Sequence, residues 1–546
     1  MSTDAEPEAR SQTPAPLRAA DWRFLLPLIP GETPDHLALV GGVPGVVERA
    51  TELGLARRIT EGLPPPGSAD IVVAAADAPD AVEEIAGAVA DGGVLYLEVD
   101  RRRRGYRATT PARITAALAA AGLPLVTIYA VEPDLAEPRV FIPVDATNAR
   151  TWFRRTFVNE RALESRLWDI ARKSSPGAAI LRDLTIREHY VVVAASRGTA
   201  TVGLLRHPEV SGIFADMAEA ESAIMLTYGG DRAVLFPFAR RSPAPLAVLK
   251  VPKTPQFVGR TENEQAYMRA LHARLAPALA RVIPAPLGTA HAGALSIACE
   301  QFLPGEPLAK RARSRTLPLS MKIDDLRRAM AWLAAFHRAT EVRRLAPHDD
   351  ARRQVIEQPL RDYARELGAT SEEARLFGRV SAAVSHATGS GLPIVCHHRD
   401  YAAWNLLRDA DELAVLDWEG AREGPAVCDA LHLATSWLYT LRLGAGSDDE
   451  VGCVHDLFVS LGRPDPAVQA ATTAVDDYLT ELGIDRVLLP QLVVHHRVEL
   501  ALRRLDQRRL QNEAGPDAAR TTVEVDTVRM LAAAVERLFA RVDIRT

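Results

Sequence analysis

The sequence predicts a multidomain α/β plus α+β protein, and three observations carry that prediction. Short apolar strands alternate with helical stretches over the first third of the chain. Three consecutive apolar strands separated by turn residues follow from about Ser222. The rest of the chain reads as mainly helical, apart from one short strand pair.

Taken in order, residues 1–20 begin MSTDAEPEARSQTPAP, which is acidic and carries no apolar core. A flexible tail is expected there, and no signal peptide. Residues 21–200 form the first unit. HLALV (His36 to Val40) is a strand, GGVPG a glycine turn and GVVERATELG a helix. ADIVVAAA is a buried strand, AVEEIAGAVADGG a helix with a glycine stop, and VLYLEV (Val94 to Val99) another strand. PARITAALAAAGL and PLVTIYAV repeat the alternation, which predicts a mostly parallel sheet. Residues 201–310 form the second unit. SAIMLTY, AVLFPF and LAVLKV predict an antiparallel meander, a helix runs from Thr261 to Leu275, and a strand lies near Leu295 to Phe302. Residues 311–546 form the third. Its strand pair is NLL (Asn405 to Leu407) and LAVLDWE (Leu413 to Glu419), joined by RDADE.

The composition is that of a soluble globular chain of 546 residues, 47% hydrophobic and 25% charged. A net charge of −5 gives no reason to expect nucleic acid or an anionic membrane as partner. No apolar run reaches roughly 18 residues, so no membrane insertion is expected. Cys299, Cys396, Cys428 and Cys453 form no C-x-x-C pair. That fits a reducing cytoplasm and argues against disulfides or structural zinc. Cys396 reads as a buried structural thiol.

The densest chemistry lies in HHRDYAAWNLLRDADELAVLDWEG. Phosphoryl transfer needs an oriented acceptor hydroxyl, metal ions that neutralise phosphate charge, and a cation on the phosphates. Asp400, in a loop ahead of a strand, is the candidate catalytic carboxylate. Asn405 begins that strand and Asp417 ends its neighbour, so a hairpin brings both to one magnesium site. His398, two residues before Asp400, reads as a brace for the loop by hydrogen bonding rather than as a group that does chemistry.

The pattern H-x-D-x-x-x-x-N followed by D-W-E resembles that of the aminoglycoside phosphotransferase and choline kinase group. It is met here by His398, Asp400, Asn405 and Asp417-Trp418-Glu419. GPAVCDALHL resembles the family's G-P-x-x-x-D-L region, with alanine in place of leucine. The resemblance implies a structural role for Asp429. It also implies a bilobal protein-kinase-like domain with a mainly helical C-lobe, using ATP and Mg2+. Lys250, ending LAVLK, would hold the phosphates, with Lys253 as competitor. Glu264 shares a helix face with Tyr267, Met268 and Leu271, so it points inward and needs a partner, which Lys250 supplies. Glu262 is its competitor. Gly229 and Gly230 either cover the nucleotide phosphates or form an ordinary hairpin turn. Glu300 and Phe302 lie where the family has its hinge, whose backbone binds adenine.

VGGVPG after a strand resembles the first motif of S-adenosylmethionine-dependent methyltransferases, and ADGGVLYLEV a later strand of that family. The resemblance implies a Rossmann-like first unit. No acidic residue precedes the glycine turn, Pro44 occupies it, and the interval from Gly41 to Asp70 is short for two strands. Glu61, after the possible strand ARRIT, is the candidate ribose contact. These departures favour a scaffold that binds no cofactor, or binds the acceptor's carrier, over one that binds S-adenosylmethionine.

The expected function is ATP- and Mg-dependent phosphotransfer to a hydroxyl of a small molecule or glycan. The alternatives are a pseudokinase binding module and a bifunctional kinase–methyltransferase that modifies a glycan. The acceptor is not legible. Glu419, Glu423 and Asp429 lie near the centre without readable direction. HHRVELALRRLDQRR (His495 to Arg509) is either a basic face for an anionic acceptor or a solvated helix face.

Overall fold

The computed structural model describes residues 17–27, 33–41, 46–75, 81–100, 111–135, 138–157, 189–197, 202–227, 231–292, 295–386, 391–462, 464–510 and 522–543. The turn residues 42–45 and the glycine loop 228–230, with Gly229 and Gly230, lie outside them.

Twelve strands join in one sheet. In chain order they are β1 (His36–Val40), β2 (Arg58–Glu61), β3 (Ala69–Ala75), β4 (Val89–Asp100), β5 (Leu125–Glu132) and β6 (Val140–Pro143). β7 (His189–Ala195), β8 (Ala220–Leu226), β9 (Arg232–Ala239), β10 (Val248–Pro252), β11 (Pro286–Ala292) and β12 (Leu295–Glu300) complete it. Across the sheet the order is β11-β12-β10-β9-β8-β6-β5-β7-β4-β3-β1-β2. Strands β2, β1, β3 and β4 pair in parallel, as the helix–strand alternation predicts. Strands β7, β5 and β6 add to them antiparallel.

Helices α1 (Val46–Glu52), α2 (Ala81–Gly87) and α3 (Pro111–Ala120) provide the first unit's crossovers. A single strand, β2, separates Gly41 from Asp70. Gly41 has φ +85°, and a side chain there would strike the Ala75 carbonyl. The segment AVADGG departs from its expected helix. Helix α2 stops at Gly87, and Val89 onward extends β4, with Ala88 and Val89 buried beside β3.

Sheet and core run on past residue 200. Strand β6 pairs with β8 through Val140–Leu226 and Phe141–Met225. One apolar layer on one face joins Leu37, Val73 and Tyr96 of the first unit to Leu235, Leu249 and Val251 of the meander. On the opposite face, helix α4 (Thr147–Phe157) lays Trp152 and Phe153 on Ile224, Phe236, Phe238 and Val248. The expected flexible tail to Ala20 is corrected at its end. Leu17–Phe24 is a 3-10 helix in which Ala20, Asp21 and Trp22 are buried. Its apolar side joins the shared core, and Asp21 reaches the Lys253 ammonium at 2.7 Å.

The third unit is helical, around a core that also takes in Met268, Leu271, Leu275 and Ile283 of the second unit. Its site-forming elements are α5 (Val258–Arg274), which belongs to the second unit and leans across, α6 (Leu319–Thr340), α7 (Asp350–Tyr363), α8 (Val427–Gly444) and α9 (Leu489–Leu510). Six short strands accompany them: β13 (Glu306–Pro307), β14 (Arg343–Leu345), β15 (Leu392–His397), β16 (Leu406–Asp409), β17 (Glu412–Val415) and β18 (Arg422–Pro425). The strand pair around RDADE is the β16–β17 hairpin, with Ala410 at φ 46° in its turn.

Candidate functional site

The hairpin brings Asn405 and Asp417 together. Strand pairing ends at Leu406–Val415, and the Leu416 N–H bonds the Asn405 carbonyl at 2.9 Å. Asn405 donates its amide to the Asp400 carboxylate at 2.8 Å and to the Asp400 carbonyl at 3.0 Å. That leaves the amide oxygen as the end with ligand character.

Asp400 sits in a loop that the protein over-determines. Its neighbour Arg399 has φ 70°, a left-handed conformation that disfavours a side chain. The buried Asp429 carboxylate holds this turn, accepting from the His398 N–H at 2.7 Å and the Arg399 N–H at 2.8 Å. His397 approaches the same carboxylate at 2.8 Å and His337 at 3.4 Å. The His398 ring is buried, with Nε2 2.9 Å from the Leu416 carbonyl and Nδ1 3.3 Å from the Asp400 N–H. The neutral tautomer with the proton on Nε2 satisfies both, and burial pulls the imidazole pKa down. His398 thus ties the Asp400 loop to Leu416, between the end of β17 and Asp417, the bracing geometry expected of it.

Two further residues reach Asp400 from far along the chain. His432 of α8 lies 3.1 Å and Arg503 of α9 3.2 Å from Oδ1. Burial alone would raise this carboxyl, but the His432 bond and the Arg503 charge outweigh it and hold it well below the usual range. Neither residue carries a motif signal, although Arg503 falls in the basic stretch His495 to Arg509.

The second cluster closes over the first from the meander. Lys250 on β10 forms buried ion pairs with Glu264 of α5 and with Glu300, the latter at 3.1 Å. Burial would lower the Lys250 pKa, but Glu264 and then Glu300 keep the ammonium above its ordinary value. Glu264 also accepts the Trp418 N–H at 3.0 Å, so one carboxylate links both halves of the site. Its competitor Glu262 faces solvent, and Lys253 is engaged with Asp21. Glu300 is a partner of Lys250 as well as the last residue of β12, and burial pushes it up to about 7. Phe302 packs edge-on against Trp152 of α4, ring centroids 5.8 Å apart.

Arg232, at the start of β9, was invisible to motif reading. Its guanidinium lies 2.5 Å from Asp417, 2.8 Å from Glu419 and 3.5 Å from Glu264. A cation held by Asp417 and Glu419 shows that this donor set takes positive charge. The oxygen donors of Asn405 and Asp417 fit magnesium, a hard cation. Asn263 of α5 adds bonds to the carbonyls of Glu419 (2.9 Å) and Ala421 (3.2 Å).

All four cysteines are buried. Burial pushes the Cys396 thiol up to about 12, as suits an inert structural group. Cys428, His495 and Glu499 place ligand atoms within 4.8 Å of one another, but Glu499 is engaged by Arg422. Glu61, on the outermost strand β2, is exposed.

Residues 238–451 match the model of the phosphotransferase enzyme family. Lys250, Glu264, Asp400, Asn405 and Asp417 all lie inside that span, and the chain on either side lies outside it. No curated protein matches the sequence. Among solved structures, the chain is similar to a glucosamine kinase in complex with glucosamine, ADP and inorganic phosphate (18% identity, 55% of this chain and 76% of that one, TM-score 0.35). Another is an aminoglycoside phosphotransferase of Streptomyces rimosus (16%, 53% and 96%, TM-score 0.33). A third is a choline/ethanolamine kinase family protein of Mesorhizobium loti (15%, 60% and 96%, TM-score 0.30).

Proposed function

We propose that the chain from about residue 201 onward is an ATP- and Mg-dependent phosphotransferase acting on a hydroxyl of a small molecule or glycan. One observation carries this reading. Asp400, Asn405 and Asp417 meet the Lys250–Glu264 pair through the bond from the Trp418 N–H to Glu264, within the span that matches the phosphotransferase family.

In this reading Asp400 orients the acceptor hydroxyl and takes its proton as the oxygen attacks the γ-phosphorus. Its depressed pKa suits orientation and late proton acceptance better than early deprotonation. Lys250 holds the nucleotide phosphates as a point charge, and Glu264 fixes it. Asn405 and Asp417 would hold magnesium, which when bound would neutralise the phosphate charge. Arg232, beside Asp417, would then share or yield its place. For the first unit we propose a scaffold role, supported by the sheet and core that it shares with the meander.

The test is a pair of variants assayed by ATP consumption over sugars and aminoglycosides. Asp400→Ala should abolish turnover, a loss of at least about a hundredfold, with Mg-ATP binding near wild type. Asp417→Ala should weaken Mg-ATP binding itself. Wild-type transfer by Asp400→Ala would sink the assignment. Absence of any stabilisation of the wild type by Mg-ATP would favour a non-catalytic binding module.

A further inference from the structure

A cavity of about 400 Å³ opens beside the Asp400 loop, large enough for a sugar-sized ligand. Its walls come from α7, α9, β18, Arg343 of β14, Ile394 of β15 and Arg399. Nine charged or titratable side chains line it, and their pairing decides its character. Arg422 is paired with Glu499, and His495 stands 3.8 Å from that same carboxylate. Asp362 is paired with Arg365 at 2.8 Å. Glu423, Asp506 and Arg343 are exposed to solvent at its rim. The end nearest Asp400 holds Arg399 and Arg503. Arg503 is bonded to Asp400 Oδ1 and to the Arg399 carbonyl, at 3.2 and 2.5 Å. The half-buried Arg399 guanidinium has no hydrogen bond or ion pair among the described residues. Burial, together with the neighbouring Arg422 and Arg503 charges, pulls its pKa down to about 10 against the opposing charge of Glu499. Glu499 and Asp429 act on it only from a distance, and a half-buried guanidinium with no directly bonded anion is a costly arrangement that a bound anion relieves.

We propose that this cavity binds an anionic group of the acceptor through Arg399 and Arg503, so that the acceptor is an alcohol already carrying a phosphate or carboxylate. The proposal rests on the phosphotransferase reading above. An anion in the cavity competes with Asp400 for Arg503, and Arg503's withdrawal takes one of the two donors off Oδ1, leaving His432 there and a lone pair for the acceptor hydroxyl. The acceptor oxygen then forms its bond to the γ-phosphorus while the bond to the β–γ bridging oxygen breaks. The hydroxyl proton ends on Asp400, and ADP leaves with the bridging electron pair. A polycationic acceptor would instead place more positive charge beside Arg399.

The full-length protein should be assayed with Mg-ATP against glucose, glucose 6-phosphate, glucuronate and glucosamine. Higher kcat/KM for the two anions, by about tenfold or more, is expected. In Arg399→Gln that anionic-to-neutral preference should collapse by about tenfold, and Arg399→Lys should restore part of it. Equal or better use of glucose or glucosamine overturns the proposal, as does a preference unchanged in Arg399→Gln. Calorimetry with glucuronate, glucose 6-phosphate and inorganic phosphate provides a second reading without turnover. Binding weakened in Arg399→Gln supports the cavity even if no nucleotide binds, a result that would count against the phosphotransferase reading alone. No anion binding at about 10 mM, with or without Mg-nucleotide, overturns it. Phosphate bound without either sugar anion identifies an adventitious ion only and also overturns it.

Discussion

Asp429, itself fully buried, accepts two backbone N–H bonds from the Asp400 loop and faces His397 and His337. A buried charge with that many partners is costly to leave incomplete. Asp429→Ala should destabilise the protein by roughly 3–5 kcal/mol in urea unfolding. Burial would raise this carboxyl, but the His397 charge and the His337 bond hold it far below the usual range. The sign of the pH effect follows. Its contribution is fully present above the unfolded value near about 4 and is lost as pH falls through the lower folded value. The stability gap between wild type and Asp429→Ala should therefore shrink progressively below about pH 4. Arg232 offers a second test at this scale. Arg232→Gln removes the cation between Asp417 and Glu419, so the protein without magnesium should melt lower, by roughly 3 kcal/mol in stability. Added Mg2+ should then stabilise the variant more than the wild type, and equal Mg2+ shifts in thermal melts would count against a shared position. The grouping of Asp400, Asn405 and Asp417 was legible because a hairpin is local and spacing encodes it. Arg232, His432 and Arg503 were not, because tertiary packing brings them in from remote elements.

Among the elements, the meander, the Glu264 helix and the first parallel strands stand where their apolar patterns predict. The departures have local causes. AVADGG has helix formers and a glycine stop, yet pairing with β3 draws it into β4. Strands β14, β15 and β18 escaped because each is a short apolar or mixed run among helices, without a period to read. Helix α4 gave no hint of its partner. Lys250 and Val248 lie two apart on β10 and share one face of the sheet, and Trp152 packs on that face beside Phe236, Phe238 and Phe302. Asn148 fastens the helix to the carbonyls of Ala239 (3.0 Å) and Ser242 (2.8 Å), and Lys310 bonds the Arg155 carbonyl. Trp152→Ala should cost roughly 3–5 kcal/mol, measured by chemical unfolding. If the segment after β12 is the proposed adenine hinge, the substitution should also lower Mg-ATP affinity in calorimetry, because Phe302 loses its support. Unchanged nucleotide affinity would confine α4 to a packing role.

Across the whole molecule, the change from α/β alternation to a meander near residue 200 suggests two independent units. The joining register does not show in sequence, because β6 and β8 are short strands far apart along the chain. Their pairing makes one sheet, and the Leu17–Phe24 helix then crosses onto the meander's core, where Lys253 pairs with Asp21. Cutting the chain there has three physical consequences. Strand β8 becomes an edge with unpaired N–H and C=O groups, a template for association. The apolar layer around Leu249 and Val251 loses Trp22, Phe24, Leu25 and Leu26 as neighbours. The opposite face loses Trp152 and Phe153. A fragment of residues 202–546 should therefore aggregate on size exclusion or melt well below the full chain, with its Lys250–Glu264–Asp417 cluster intact in sequence but unsupported. A monomeric fragment that melts at the full-chain temperature and binds Mg-ATP equally well would show that the shared sheet is a contact between independent units, and that the scaffold role assigned to the first unit is wrong.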